Sequence, residues 1–560
     1  LDCYILNNSF IPVNTLNYSN KRNLRAKDWP VADFLKGGGD KLLRNDNGHF
    51  TDVSEAAGIY GSLIGFGLGV TIGDVNGDQY LDIYVSNDFY EKDYLYINQR
   101  NGSFKEDIEQ QMGHISMTSM GADMADMNND GLQDIFTTDM LPDDDYRLKT
   151  TSSYESTDIF RLKEKSGFYH QYMQNTLQVN NGNQSFTETG FYSGVAASDW
   201  SWGGLIFDAD NDGLSDIFVC NGIYHDLTDQ DFIDFFASDI IQKMVLTGEK
   251  EKVNEIINKM PSHPIPNKAF RNAGNLHFTD SATQWGLGQP SFSNGAAYGD
   301  LDNDGDLDLV VNNVNQPSFV YRNFSQERNH PNFISIQLTG TANNRFAIGS
   351  SIRIYSGTDI ISREIIPTRG FQSSVDYKAV IGLGNKSIDS MLIIWPDRRY
   401  RRIIQPAVNK LYQFKEDSSD LPLPMPDGKT TRPLLHQWPT QFDKHEEDDF
   451  QDYNMERNIP MLLSREGPQA AVGDVNGDGR EDVFIGGATG QSAQLYLQTA
   501  AGKFNKTVAP FNADAAAEDV AVCMFDCDGD GDLDIFVGSG GNNHSSGDSA
   551  LQLRLYLNTG

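Results

Sequence analysis

A nine-residue phrase with Asp at position 1, Asp or Asn at 3, and Asp at 5 and 9 occurs six times in this 560-residue chain. The copies are DVNGDQYLD from Asp74, DMNNDGLQD from Asp126, DADNDGLSD from Asp208, DLDNDGDLD from Asp300, DVNGDGRED from Asp474 and DCDGDGDLD from Asp526. Oxygens at positions 1, 3, 5 and 9 of a tight loop converge on one hard cation, and the backbone carbonyl of position 7 adds a further ligand. Calcium takes six to eight oxygens in irregular geometry, whereas magnesium demands a smaller, stricter octahedron. A single copy reads equally well as a chain of Asx turns without metal. Six copies in register favour calcium. The expected ligands are Asp74, Asn76, Asp78 and Asp82; Asp126, Asn128, Asp130 and Asp134; Asp208, Asp210, Asp212 and Asp216; Asp300, Asp302, Asp304 and Asp308; Asp474, Asn476, Asp478 and Asp482; and Asp526, Asp528, Asp530 and Asp534.

These are not EF-hands. An EF-hand needs a bidentate Glu at position 12 and an exiting helix. Position 12 here is Val85, Thr137, Val219, Val311, Ile485 or Val537, within β-forming runs such as Ile83-Tyr84-Val85. Small and apolar residues precede each loop, so each loop joins two strands of a hairpin. A third short strand follows, with a Leu-Tyr-x-Asn character, at 95–98, 320–323, 495–498 and 555–558. The closest copies start 52 residues apart. A unit of about four short strands at that spacing cannot bury its own faces and must stack with its neighbours. Radial stacking gives a β-propeller with the Gly/Ala-rich strand innermost. A calcium-binding β-solenoid is the rival, but its repeats are far shorter.

The loops and their Gly/Ala strands resemble the FG-GAP or VCBS repeats of integrin-α-like propellers, a resemblance that implies calcium at the loop Asp and Asn residues. Five residues before the loop the first four copies have Gly69, Gly121, Gly203 and Gly295, and the last two have Gln469 and Ala521. Thirteen residues after the loop start, Asn87, Asp139, Asn221 and Asn313 give way to Gly487 and Ser539. The chain is therefore expected to be all-β, with two calcium-binding propellers separated by a small β domain. The first spans 1–329, the second begins at 461–560, and a linker covers 417–460.

Strand-like runs at 333–338, 351–355, 360–366, 375–381 and 390–394 mark the small domain, 330–416. Ile348-Gly349-Ser350, Arg369-Gly370-Phe371-Gln372-Ser373, Gly382-Leu383-Gly384 and Trp395-Pro396-Asp397 resemble the ASPIC/UnbV domain that accompanies such propellers in bacterial relatives of cartilage acidic protein. That pattern continues with Gly where this chain has Arg398, so a different turn is expected there. Leu1-Asp2-Cys3-Tyr4-Ile5-Leu6-Asn7 aligns with 81–87, so the chain opens as a loop of this kind ends. We read the first propeller as seven-bladed, with its N-terminal part and an N-terminal lipid anchor outside this sequence.

Two inserts interrupt the first propeller. Residues 142–172 are mixed and polar. Residues 224–268 carry two helical stripes, Phe232, Phe235, Phe236, Ile240 and Ile241, then Val253, Ile256, Ile257 and Met260. Thr228 and Asp231 are read as an acidic capping box for the first, and Gly248 as its stop. The stripes pack on the propeller or form a helical cap for a partner.

Lys and Arg number 44 against 78 Asp and Glu, a formal charge of −34. The loop positions contribute 21 of these carboxylates, and six calcium ions would still leave −22. Such a surface repels nucleic acid. No apolar run approaches the ~18 residues of a membrane span. Cys3, Cys220, Cys523 and Cys527 show neither CxxC spacing nor an indicated pairing. No G-x-S-x-G, HExxH or phosphate loop is present, and the ten histidines are scattered. Trp200 and Trp202 fill space between blades or form a sugar-stacking platform. Sites this numerous fill most readily at millimolar calcium, outside the cytoplasm.

Three functions follow. One is a non-enzymatic, calcium-stabilised surface or secreted protein that binds a protein partner or a glycan. The resemblance places it at a Gram-negative outer membrane, beside nutrient-uptake or secretion machinery. The second is a carbohydrate-active enzyme on a propeller scaffold, and the third a passive adhesion or matrix protein.

Overall fold

A computed structural model describes residues 1–7, 26–36, 38–88, 91–152, 157–237, 257–341, 343–424, 434–438, 442–456, 459, 462–500, 502–507 and 509–560. The chain is predominantly β and divides into two compact units, Leu1–Lys429 and Thr430–Gly560. No sheet among the described residues closes on itself.

In the first unit five antiparallel sheets follow one another. Sheets two to four are four-stranded meanders: Gly67–Gly73, Asp82–Asn87, Tyr94–Asn98 and Phe104–Glu106, then Ala122–Ala125, Asp134–Thr137, Thr176–Asn180 and Phe186–Glu188, then Ser201–Phe207, Asp216–Asn221, Lys268–Asn272 and Phe278–Asp280. Sheet one has three strands (Cys3–Ile5, Lys41–Asp46, His49–Asp52), as does sheet five (Ser293–Gly299, Asp308–Asn313, Phe319–Tyr321). Each Asp loop joins the first two strands of its sheet, so the hairpin reading holds at every copy. Cys3 pairs with Leu43 as Ile83 pairs with Tyr96, and the Asn45 N–H reaches Asp2 Oδ1 as the Asn98 N–H reaches Asp82 Oδ1. Residues 1–7 thus sit in the register of 81–87.

The first strands of successive sheets pack side by side. At Gly203 an added Cβ would lie 2.9 Å from the Phe371 Cβ, and at Gly121 2.7 Å from the Trp202 carbonyl. Gly121 and Gly203, five residues before their loops, therefore admit both the neighbouring strand and a hairpin from elsewhere in the unit. Between sheets the core is aliphatic and aromatic, for example Phe136, Leu177, Val195, Ile217, Val219 and Phe270.

That hairpin belongs to the small β domain. One of its sheets orders Asp359–Glu364, Ser351–Ser356, Ser390–Ile394, Arg399–Ile404 and Leu421–Pro422. The other places Asn332–Thr339 between Ala379–Gly384 and Lys410–Lys415, the last pairing being parallel. A buried core of Ile334, Ile336, Ile354, Ile381, Met391, Ile393 and Trp395 joins them. The strands Arg399–Ile404 and Lys410–Lys415 escape a sequence reading because their basic and polar residues dilute the apolar alternation. A different turn was expected at Arg398, but the residue adopts a conformation that glycine also favours. It takes a left-handed φ of 63°, donates its N–H to Trp395 O and lays its guanidinium 4.6 Å over the Tyr80 ring.

Strands Thr368–Arg369 and Ser373–Ser374 carry the hairpin into the glycine-lined first strands, where Gly370 bridges Ala122. Arg369 is buried there and donates to Asp123 Oδ1 at 2.9 Å and Met124 O at 2.7 Å. Trp202 packs 5.2 Å from Phe371 and donates its indole N–H to Gly222 O. Its role here is space filling.

Both inserts lie in connections between second and third strands, at the end of the sheets away from the Asp loops. The first contains helices Asp145–Thr151 and Thr157–Lys165. Arg147 on it ion-pairs with Asp199 and, from the second insert, Asp226. In the second insert the capping residue is Asp229, whose Oδ1 accepts the Phe232 N–H, and not Thr228, which instead donates its hydroxyl to Asp226 Oδ1. Asp229 wins because the helical turn starts one residue after Thr228 was expected to cap it. Phe232 is buried. Ile240, Ile241, Gly248, Val253 and Ile256 lie outside the described residues.

The second unit holds two sheets: Ala470–Gly473, Asp482–Ile485, Gln494–Ala500 and Lys503–Thr507, and then Glu518–Phe525, Asp534–Gly540 and Arg554–Tyr556. Phe484, Leu495, Phe511, Ile535 and Val537 form its core.

Candidate metal centres

We number the Asp loops 1 to 6 in chain order. Each needs two left-handed residues. Position 4 is Gly77, Asn129, Asn211, Asn303, Gly477 or Gly529, and position 6 is Gln79, Gly131, Gly213, Gly305, Gly479 or Gly531, all at positive φ. Gly and Asn tolerate that conformation at least cost. In loops 3 and 4 the two kinks turn the side chains of positions 1, 3 and 5 toward a common point.

Internal hydrogen bonds hold the turn. In loops 1, 2, 3 and 5 the position 1 carboxylate accepts the N–H groups of positions 5 and 6, as Asp208 does from Asp212 and Gly213. The position 5 carboxylate accepts the N–H of position 7 in all six. Position 9 ties the loop to the sheet. Its Oδ2 takes the N–H of position 2, and its Oδ1 takes the N–H of a residue ending the third strand, as in Asp216 with Ala209 and Asn272.

That third-strand residue closes the Leu-Tyr-x-Asn motif at Asn323 and Asn558, and the sequence marks neither Asn180 nor Asn272. The Asn180 amide donates to Val75 O of loop 1, Asn272 to Met127 O of loop 2, Asn323 to Ala209 O of loop 3, and Asn558 to Val475 O of loop 5. Each therefore latches its own loop to the preceding one. Asn129 and Asn211 add links from loop to loop through Gly213 O and Gly305 O. Asn272→Ala leaves the Met127 and Ser215 carbonyls without their donor. It is expected to cost about 1–3 kcal/mol in urea unfolding of the first unit and to leave the second unit's transition unchanged.

The donor sets suit a hard divalent cation. Carboxylate oxygens of Asp208, Asp210 and Asp212 lie within 4.8 Å of one another, as do those of Asp300, Asp302 and Asp304, and those of Asp526, Asp528 and Asp534. In loops 3 and 4 this gathers positions 1, 3 and 5, while Asp216 and Asp308 are engaged at the strand. In loop 6 it gathers positions 1, 3 and 9. Loops 1, 2 and 5 place the Asn76, Asn128 and Asn476 amide oxygens on the position 5 N–H, beside the position 1 carboxylate. Asp210 Oδ1 and Asp300 Oδ1 are buried without a hydrogen-bond partner, a costly state that a cation would relieve.

In the first unit the small β domain covers the loops. Glu364 accepts the Asp74 N–H in loop 1. The Ile360 N–H donates to Asn129 O in loop 2, and the Gly384 N–H donates to Asn211 O in loop 3. A Cβ at Gly382 would lie 2.1 Å from Asp208 Oδ2, so only glycine fits there. In loop 4 the Lys378 ammonium donates to Asp300 Oδ2 at 3.1 Å and Asn303 Oδ1 at 2.9 Å, and Phe333 lies against Gly305. Burial consequently pushes the Asp74 and Asp126 carboxyls up to about 6, Asp208 to about 7 and Asp82 to about 8. Asp474 in the second unit is only half-buried, and the N–H of Gly479 holds its carboxyl below the usual range.

Arginines face several position 3 and 5 carboxylates: Arg100 on Asp78, Arg271 on Asp210 and Asp212, Arg322 on Asp302 and Asp304, and Arg480 on Asp478. Arg271 takes Asp210 Oδ2 and leaves Oδ1 free toward the loop.

The chain carries FG-GAP-like repeats, matched at 74–137, 261–311 and 474–537, and an ASPIC and UnbV domain, matched at 340–421. These modules define a repeat protein of a kind that is typically non-catalytic. Loop 3 falls outside the matched stretches yet has the same geometry. No curated protein matches the chain. Among solved structures, a lectin of Agrocybe aegerita that recognises non-reducing terminal N-acetylglucosamine aligns at 12% identity over 84% of this chain and 87% of its own, with a TM-score of 0.25. The V. cholerae biofilm matrix protein Bap1 aligns at 11% identity over 94% and 82%, with a TM-score of 0.20. Among the described residues no helix is long and apolar enough to cross a membrane.

Proposed function

We propose that this chain belongs to a non-enzymatic, calcium-stabilised binding protein of the cell surface or extracellular space, built on two β-propellers. Calcium at the six loops stiffens one end of each repeat, and in the first unit the ASPIC/UnbV-like domain caps that end. The opposite end is then the one free to meet a partner. One observation carries the reading. At that end Tyr146, Leu162, Phe191, Tyr192 and Leu227 are exposed, and Phe191 lines a groove of about 280 Å³ together with Asp143, Lys268 and Phe270. Exposed aromatics beside fixed charges are typical anchors of a protein interface. An outer-membrane uptake or secretion component is the partner we propose, since the resemblance sets such proteins there.

The test is affinity purification of the full-length protein from native membranes and medium, in calcium and then in a chelator. Stoichiometric recovery of one membrane component is expected, reduced at least tenfold by Tyr146→Ser with Phe191→Ser. Recovery of the protein alone, from the medium, would refute the membrane role. Turnover of a glycan substrate would refute the non-enzymatic reading.

A further inference from the structure

Loop 4 differs from its siblings at position 7. Loops 1, 2, 3 and 5 have Tyr80, Leu132, Leu214 and Arg480 there, whereas loop 4 has Asp306. Loop 6 also has an acid, Asp532, but its gathered carboxylates are Asp526, Asp528 and Asp534. Asp306 is fully buried. Its Oδ2 accepts the Gln326 N–H at 3.0 Å, and its Oδ1 is buried without a donor from the chain, beside the Asp304 carboxylate. Oxygens of Asp304, Asp306 and Glu327 lie within 4.8 Å of one another, Glu327 coming from the short helix Ser325–Asn329.

The cations nearby do not account for Asp306. Arg322 pairs with Asp302 at 2.7 Å, Asp304 at 3.4 Å and Glu327 at 2.6 Å, and stacks 4.9 Å over Phe324. Lys378 reaches Asp300 and Asn303. Among the described residues no ion pair reaches Asp306. A buried carboxylate oxygen without a hydrogen-bond donor or an ion-pair partner from the chain is strongly disfavoured.

We propose that a second hard divalent cation binds between Asp304, Asp306 and Glu327, beside the loop 4 site and sharing Asp304 with it. Three carboxylates and solvent supply the oxygen-rich shell that calcium or magnesium takes. Arg322 would give up its Nη2 contacts to Asp304 and Glu327 and keep Asp302 and Phe324. Asp306 and Glu327 lie outside positions 1, 3, 5 and 9, so this site goes beyond the loop reading and does not stand or fall with loops 1 to 3.

The experiment is anomalous diffraction from crystals of the full chain soaked in manganese, with bound calcium counted on the same preparations. A peak within metal-ligand distance of both Asp306 and Glu327 is expected. Glu327→Gln, a half-exposed position that leaves the fold intact, should remove that peak and lower calcium binding by one ion. Asp208→Asn should lower the count by one at loop 3 and leave the Asp306 peak in place, which separates failure of the loops from failure of this site. No density between Asp306 and Glu327, or an ion count unmoved by Glu327→Gln, overturns the proposal.

Discussion

Arg369→Met is expected to destabilise the first unit by about 3–5 kcal/mol, the cost of removing one partner from a buried ion pair. Asp123 is fully buried, and burial keeps its carboxyl above the usual range even with the guanidinium beside it. Glu364, half-buried, is pushed up to about 7 by desolvation and the nearby Asp74 charge. Without Arg369 the Asp123 carboxylate must be protonated or left without its cation, and Glu364 loses a favourable nearby charge. The loss should therefore shrink as pH falls, and Asp123→Asn in the same chain should restore more than 1 kcal/mol, a coupling read from a double-mutant cycle. Urea unfolding at pH 5.5 and 8 checks it. A loss below 1 kcal/mol would mean that the Thr368–Ser374 hairpin is not seated among the first strands.

Chelation should have the other large effect. A ligand that binds only the folded state adds RT ln(1 + [L]/Kd), about 2.7 kcal/mol per site at a hundredfold excess over Kd. Four loops in the first unit then supply about 11 kcal/mol, the size of a whole domain's stability. Excess EDTA is expected to lower that unit's Tm by about 10–20 °C. The pH dependence has a definite sign. Asp74 at about 6, Asp208 at about 7 and Asp82 at about 8 sit above their unfolded values, so the metal-free fold binds more protons than the unfolded chain across roughly pH 4–8. Metal-free stability therefore falls as pH rises through that window. Calcium needs the deprotonated ligands, so its contribution grows over the same range. The EDTA-induced drop should be larger at pH 8 than at pH 5.5, and calorimetry at both values reads it.

How much of this was legible depends on the range of the contacts. The hairpin, the loop and its two left-handed positions are local, and DxDxDG with flanking β-formers reports them directly. The glycines at 69, 121, 203 and 295 signalled crowding, although part of the crowder, Phe371, comes from far along the chain. The asparagines at 323 and 558 read as strand ends, and those at 180 and 272 carried no motif. Their role as latches depends on which carbonyl of the previous loop lies opposite, and no sequence spacing states that. Least legible was the seat of the small β domain on loops 1 to 4. Glu364, Gly382, Gly384 and Lys378 meet their loops across tens to hundreds of residues, and their chemistry is ordinary until the fold places them there. The Arg399–Ile404 strand was hidden for the opposite reason, its local pattern being too basic to read as half-buried.

The most direct test of the central claim is the number of calcium ions held by the full chain, measured by equilibrium dialysis at millimolar calcium with single-loop variants. The account predicts at least six ions per chain, with Asp126→Asn, Asp208→Asn and Asp474→Asn each removing one. A chain that retains no calcium, and whose melt is the same in calcium and in EDTA, would show that the Asp loops are turns held by hydrogen bonds alone.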